Sequence, residues 1–440
     1  MPLKVWIILG ITVLGIVTGI VLLFPNKRPI SFIKGSTTTK QNIFYEQIPG
    51  STFHSPDGTW WGYNQSKIVR FKNTVFMYVM ENSDADGKTL SKMVIYKKEG
   101  DGPWQKGAGL LTSEAGNIVI DSKGVLHAFV FQQTQPAKDL SLGKLIHYWF
   151  PNSASGDIKN SKQEIILNNP DDSETVNRVG AGIGPDDTLA VAFGYTTFNP
   201  KYQGHSEHLF IKKPGQSWRR LIAGQNLGHD WYYPFVLITP QSYHLLSVQD
   251  DFNGVGKQNT YQKVMHFGYE KGAWKRDLLA NLTSHPLASK EKRLLEQNDI
   301  FLDSAGRVHA SYKELLDGTS LGNVTAFQHF TKKASGWDKE TTDVQKYSCN
   351  WLKFVEVDST LYYLCASFDR VYIMNEKRTK VQQLAIPTKV QAIYPYLASP
   401  RGGSASSEYI DLLLLSGSSQ GYATHTDYYV RIPKTLFRTL

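Results

Sequence analysis

Cysteine is nearly absent: the chain has two in 440 residues. That is too few to staple a fold of this length, so a disulfide scaffold is excluded. Methionine is scarce as well, with six. No block of like charge stands out, and the 48 Lys and Arg and 39 Asp and Glu are scattered. The net excess of +9 therefore reads as a solvated surface, and nucleic acid is not expected as a partner. Metal-ligand clusters are lacking too. His205-Ser206-Glu207-His208 comes nearest, but it lies in a Gly-flanked loop without a third ligand. Neither a metal nor a cofactor is expected. Aromatic residues, in contrast, reach 12%, accompanied by 36 Gly and 19 Pro. That balance favours many short strands and turns over long helices.

One long hydrophobic run is present. Val5 to Phe24 carries no charge, and about twenty apolar residues span the hydrocarbon core of a bilayer. A cleaved secretory signal has a shorter apolar stretch followed by small residues. Here the run continues into Phe24-Pro25-Asn26-Lys27-Arg28. The sequence thus predicts an uncleaved transmembrane signal-anchor over 1–29, a linker over 30–41 and a folded body over 42–440. Lys4 precedes the span and Lys27 and Arg28 follow it, so charge alone does not orient it. A short head before so large a body fits a single-pass membrane protein with the body on the extracytoplasmic side. The alternative is a cytosolic body.

Past Lys40 the chain repeats itself. Asn117 to Phe131 (NIVIDSKGVLHAFVF) and Asn298 to Tyr312 (NDIFLDSAGRVHASY) agree at Asp121/Asp303, Ser122/Ser304, Gly124/Gly306, His127/His309 and Ala128/Ala310. Each reads as an apolar strand, a polar turn and a second apolar strand. A second piece is an apolar strand, a Lys/Gly turn and a Trp, as in Leu209 to Trp218 and Gln328 to Trp337. It is a hairpin whose glycine permits the turn. Two hairpins in series make a four-stranded antiparallel unit. The start of its second strand recurs at Phe76, Val125, Leu189, Tyr243, Val308, Leu361 and Tyr409, a period of roughly 55 residues. Seven such units predict an all-β, seven-bladed β-propeller, in which each blade covers its neighbours' faces.

The seventh unit runs out of chain before a fourth strand. Residues 42–47 belong to no other unit, and they are expected to pair with Asp427–Ile432 and close the ring. Cys349 and Cys365 fall on the two inner strands of the sixth unit, about three positions out of register, so a disulfide requires a slip or a bulge. Bonded and free thiols both stay open. His127 and His309 occupy equivalent strand positions and are expected to pack or to bond to the next blade. Asn64, Asn281 and Asn323 open N-x-S/T sequons, which matter only in a glycosylating host.

With these motifs the chain resembles the BNR-repeat, sialidase-like propellers, and most nearly the group that contains ulvan-lyase-type polysaccharide lyases. The stretch Trp231 to Gly256, with its aromatic-Tyr-Pro start, strand pair and Gly-rich loop, adds to the likeness. The resemblance covers roughly residues 42–435 and implies a polysaccharide as ligand or substrate. Two departures bear on chemistry. The loop before Asn117, Thr112-Ser113-Glu114-Ala115-Gly116, lacks the group's His, and Ser247-Val248-Gln249-Asp250-Asp251 lacks its Arg. Without them a β-elimination loses a proton-transfer group and the cation that neutralises a uronate carboxylate.

The loops leading into the innermost strands of a propeller gather at one mouth of its channel, and here they are rich in aromatic and amide groups. Trp60, Trp61, Tyr63, Asn64, Asn117, Asn177, Asp230, Trp231, Asn298, Asn350, Trp351 and Tyr394 are the candidates for sugar contact. Aromatic faces cover pyranose C–H patches, and a few convergent polar groups fix orientation. The competing reading is that Asn at the start of a strand caps local backbone groups. If there is catalysis, His229 is the candidate base, Tyr232 or Tyr233 the acid, and Arg178 the cation. The expected function is a membrane-anchored propeller that binds a glycan with a degenerate or absent catalytic set. The alternatives are an active lyase or glycosidase, and a non-catalytic scaffold for an envelope protein.

Overall fold

The structure is a computed structural model. It describes residues 42–49, 62–82, 91–133, 143–169, 175–196, 205–222, 231–250, 261–286, 294–315, 324, 326–342, 349–367, 370–386, 394–417 and 425–440. The apolar run 5–24 lies outside these, and among the described residues no helix is long and apolar enough to cross a membrane.

The unit Gln41–Leu440 consists of seven antiparallel sheets of four strands each. Strand β1 (Phe44–Gln47) comes first in the chain and belongs to the last sheet. Blade one holds β2 (Ile68–Phe71), β3 (Thr74–Asn82), β4 (Ser91–Glu99) and β5 (Gln105–Thr112), and blade two holds β6 (Asn117–Ile120), β7 (Leu126–Gln133), β8 (Gly143–Phe150) and β9 (Lys162–Asn169). Blade three is β10 (Thr175–Ile183), β11 (Leu189–Thr196), β12 (His205–Lys212) and β13 (Arg219–Ile222), and blade four is β14 (Trp231–Ile238), β15 (Ser242–Asp250), β16 (Tyr261–Glu270) and β17 (Ala273–Asn281). Blade five is β18 (Leu295–Leu302), β19 (Val308–Glu314), β20 (Ala326–Lys333) and β21 (Gly336–Thr342). Blade six is β22 (Trp351–Val357), β23 (Thr360–Ala366), β24 (Val371–Asn375) and β25 (Val381–Gln383). Blade seven joins β26 (Tyr394–Leu397), β27 (Tyr409–Gly417) and β28 (His425–Pro433) to β1.

The expected closure is present: Phe44 lies opposite Arg431 and Gln47 opposite Tyr428. The first and last strands of the described residues thus share one sheet, and Tyr45 stacks on Tyr428 at 4.7 Å.

The core lies between blades. Val119, Phe129 and Leu145 of blade two pack against Val179, Val191 and Phe193 of blade three. Phe354 and Tyr363 of blade six meet Phe301 of blade five. A blade alone leaves these faces wet, so burying a side chain such as Phe129, worth roughly 2–3 kcal/mol, is realised only in the ring.

The recurring motifs hold the blades together. Asp121 folds its own turn by accepting the Lys123 and Val125 N–H groups at 2.9 and 2.7 Å, with Gly124 supplying φ +83. Ser122 then donates N–H and O–H to Asp187 of blade three, and Ser304 does the same to Glu356 of blade six. The Trp of the second motif is also a clasp. Trp218 donates to Glu164 of blade two at 3.0 Å, and Trp337 to Asp277 of blade four at 2.9 Å. His127 and His309 bond within their own blade, not to the next one. Their Nδ1 atoms lie 2.9 Å from Nε2 of His147 and His329 on the adjacent strand, and His244 and His266 repeat the pair in blade four.

Cys349 and Cys365 are bonded, with Cα atoms 5.6 Å apart. The strands neither slip nor bulge to allow it. Trp351 pairs with Ala366 in the expected register, while Cys349 precedes β22 and is not held in its ladder. The Asn350 N–H donates to Ala366 O at 2.8 Å, which turns Cys349 back over Cys365.

Candidate functional site

The innermost strands all start at one end of the sheets, here termed the mouth, and finish at the turn end. Three of them carry a bulge near the start: β10 between Asn177 and Gly180, β14 between Tyr232 and Phe235, and β18 between Gln297 and Asp299. An extra residue re-aims side chains towards the axis. In β14 it puts Tyr233 at φ +56, a sparsely populated conformation for an aromatic residue.

The segment before β2 crosses the channel. A turn at Gly62, φ +73, closed by the Gln65 N–H to Gly62 O bond at 2.9 Å, carries Tyr63 to the far side. The Tyr63 ring stacks on Tyr233 of blade four at 4.6 Å and leans on Trp351 of blade six at 5.0 Å. Its hydroxyl donates to Gln297 of blade five at 3.4 Å. Trp351 in turn meets Tyr394 of blade seven at 5.1 Å. Rings from four directions therefore floor the mouth, with Tyr394 the least covered of them.

Buried charges surround this floor. Lys313 Nζ lies 2.7 Å from Glu296 and 3.6 Å above the Trp351 ring centroid. Lys67 sits 4.5 Å from the Tyr396 ring. Burial pushes its ammonium well below the ordinary lysine range, opposed by Asp427 and Glu114. Deeper in the channel Lys353 donates to Asn298 O at 2.5 Å. Burial brings it down to about 8, with Asp299 acting the other way. Desolvation disfavours the charged form and a nearby carboxylate restores it.

From the turn end a second segment enters. The helical turn Pro400–Gly402 places Arg401 on the axis, where it donates to Ala181 O at 3.3 Å and to Gln65 O at 3.4 Å. A Cβ on Gly402 would lie 2.7 Å from Ser66 Oγ, and one on Gly403 1.9 Å from Ile120 O. The two segments touch, and glycine is what lets them.

Of the residues expected to act on a ligand, His229, Asp230, Trp60 and Trp61 lie outside the described residues. Asn177, Arg178, Trp231 and Tyr232 are placed as backbone positions on β10 and β14. Tyr233, expected as a candidate acid, is wedged under Tyr63, 3% exposed. Asn64 and Asn117 are wholly buried and bond to backbone. Asn117 accepts the Ser66 and Ala181 N–H groups at 3.0 and 3.2 Å and donates to Val179 O at 2.9 Å, joining blades one, two and three. Asn64 donates to Pro234 O at 2.9 Å, so its sequon is sealed in the folded chain. Asn298 and Asn350 are buried as well. Asn64 and Asn117 thus bond to the backbone of other blades and do not cap local groups of their own strand, and a buried amide is not offered to a sugar.

Sequence reasoning missed Lys67, Lys313, Lys353 and Arg401. The signal was a lysine inside an otherwise apolar strand, as in Trp351-Leu352-Lys353-Phe354-Val355, since such a residue is seldom buried without a partner.

No family model matches the sequence, and no curated protein matches it in sequence either. Solved structures do share the fold. Polysaccharide lyase Uly1 superposes with a TM-score of 0.53 at 10% identity, over 84% of this chain and 90% of the lyase. A Trypanosoma rangeli sialidase in complex with sialic acid gives 0.45 at 10% identity, over 90% of this chain and 60% of that one. A glycoside hydrolase family 32 protein from Bifidobacterium adolescentis gives 0.36 at 8% identity, over 87% and 78%. At 10% identity the likeness to the lyase is one of fold, and the fold is the one the BNR-like resemblance implies.

Proposed function

We propose that the chain is a membrane-anchored, extracytoplasmic propeller that binds a glycan at its mouth and performs no chemistry on it. The observation that supports this best is the aromatic cluster beneath the mouth, where the buried Tyr63, Tyr233 and Trp351 rings, with centroids 4.6–5.1 Å apart along the chain of contacts, back the half-buried Tyr394 ring. A pyranose packs a C–H face over such a backed ring while polar groups around it take its hydroxyls. Asn177, Arg178, Trp231 and Tyr232 lie at the mouth-side starts of β10 and β14 and are proposed as contacts, and Trp60, Trp61, His229 and Asp230 are kept as candidates from the sequence. Two features favour binding over turnover. The group's proton-transfer His and its Arg are replaced here, and the described cations of the mouth are set against carboxylates: Lys313 against Glu296, Lys67 against Glu114 and Asp427. A lyase needs a cation facing the substrate carboxylate and a base beside it. The shared fold with a polysaccharide lyase supports a polymeric ligand. The apolar run Val5 to Phe24 supplies the anchor.

The test uses the full chain in lipid nanodiscs against neutral and uronic-acid polysaccharides, following binding and the absorbance of unsaturated products together. Saturable binding without product, weakened at least tenfold in Tyr394→Ala or Trp231→Ala, is the expected result. Unsaturated product that disappears in His229→Ala would replace this reading with an active lyase.

A further inference from the structure

The turn end of the propeller carries cations that glycan binding at the mouth does not use. The turns between the third and fourth strands of blades three to six present Lys213, Lys271, Lys333, Lys377 and Lys380, all exposed. Among the described residues Lys213, Lys271, Lys377 and Lys380 take part in no ion pair, and Lys333 meets only Asp338, at 3.2 Å. Acids stand at the same end and keep their charge, among them Asp187, Glu356 and Glu270. The four turns themselves, however, hold Lys213, Lys271, Lys333, Lys377, Arg378 and Lys380 against the single acid Glu376, and so carry a net positive charge.

A second observation is independent of charge. As the third strand of its blade, β28 runs from the mouth, where His425 pairs with Gly417, to the turn end, where Pro433 pairs with Tyr409. Strand β1 is antiparallel to it, with Phe44 opposite Arg431 and Gln47 opposite Tyr428. So β1 starts at the turn end, and the chain enters the propeller there, with Lys98 and Arg431 packed over the Phe44 ring at 5.2 and 4.9 Å.

We propose that this basic face rests on an anionic lipid surface, with the mouth turned away from the bilayer. The inference rests on the anchor proposed above: an anchored chain raises the concentration of these lysines at the leaflet, whose charge attracts them over a short range. Blade edges then stand on headgroups, and the glycan site is presented to the outside.

The full chain is inserted into phosphatidylcholine vesicles and into phosphatidylglycerol-rich vesicles, and its lysines are acylated and located by mass spectrometry. Lys213, Lys271, Lys333, Lys377 and Lys380 should be protected several-fold in the anionic vesicles relative to the neutral ones, and high salt should erase the difference. Lys→Gln changes at both Lys213 and Lys271 should at least halve the protection of the remaining sites. Equal labelling in both lipids overturns the proposal, as does stronger protection by a soluble polyanion such as heparin or DNA. Loss of co-flotation with phosphatidylcholine vesicles at high salt would instead refute the anchor. Charge-dependent protection by phosphatidylglycerol would still be read separately and would still support the basic face.

Discussion

Blades two and five carry the same motif and use it in the same way at the turn end, but they part at the mouth. In both, the aspartate folds its turn, the serine reaches an acid of the next blade, and a first histidine meets a second at 2.9 Å. From Asn117 to Asp121 the chain takes one step fewer than from Asn298 to Asp303. The extra residue of blade five is absorbed by the bulge between Gln297 and Asp299. As a result Asn117 ties three blades together, whereas the Asn298 side chain has no hydrogen-bond partner among the described residues. The motif therefore specifies the turn and the seam between blades. One inserted residue is enough to reassign the group at the axis.

The largest expected effect comes from Asn117→Ala. It strands two buried N–H groups and a carbonyl, and should lower the unfolding free energy by roughly 3 kcal/mol in urea titrations followed by tryptophan fluorescence. A loss below about 1 kcal/mol would mean that water takes over those bonds and that the contrast with blade five is not energetic.

Acid comes next. Burial pushes His147 down to about 4 and His329 down to about 3. The unfolded chain therefore takes up protons first as pH falls below its own histidine range, near 6.5. The stability that neutral His147 and His329 contribute is present above that value and is lost as pH falls from about 6.5 through 4 to 3. Each of the two should account for part of that loss. His147→Phe and His329→Phe should both flatten the profile in this window. If only one does, the two blades differ at their pairs as well as at the axis.

Ser304→Ala should weaken the seam to blade six by about 1 kcal/mol, matched by Ser122→Ala at the seam to blade three. Asn298→Ala should be the smallest effect, below about 1 kcal/mol, because no hydrogen bond is lost with it. A cost equal to that of Asn117→Ala would remove the distinction between the two amides.

What could be read from the sequence was local or arithmetical. Asp121, Ser122, Gly124 and His127 recur at Asp303, Ser304, Gly306 and His309 because one turn geometry demands them, and that recurrence set the blade count. A seventh unit short of a strand and an unassigned stretch at 42–47 implied their pairing. The register that paired Trp351 with Ala366 was also legible. The bond between Cys349 and Cys365 depended on where the ladder stops, which strand pattern leaves open. The channel itself could not be read. Tyr63 meets Tyr233, Gln297 and Trp351 across separations of up to 288 positions (63 to 351), and nothing near Tyr63 in the chain encodes those neighbours. Arg401 likewise sits in a Gly- and Ser-rich stretch, and only the closed ring gives it an axis to enter.

The close approach of Gly402 to Ser66, where the segments from the two ends meet, bears on the glycan proposed as ligand. Among the described residues it leaves such a polymer no path through the propeller to the other side. The polymer must lie across the opening or offer a terminus to it, and then withdraw by the path along which it arrived.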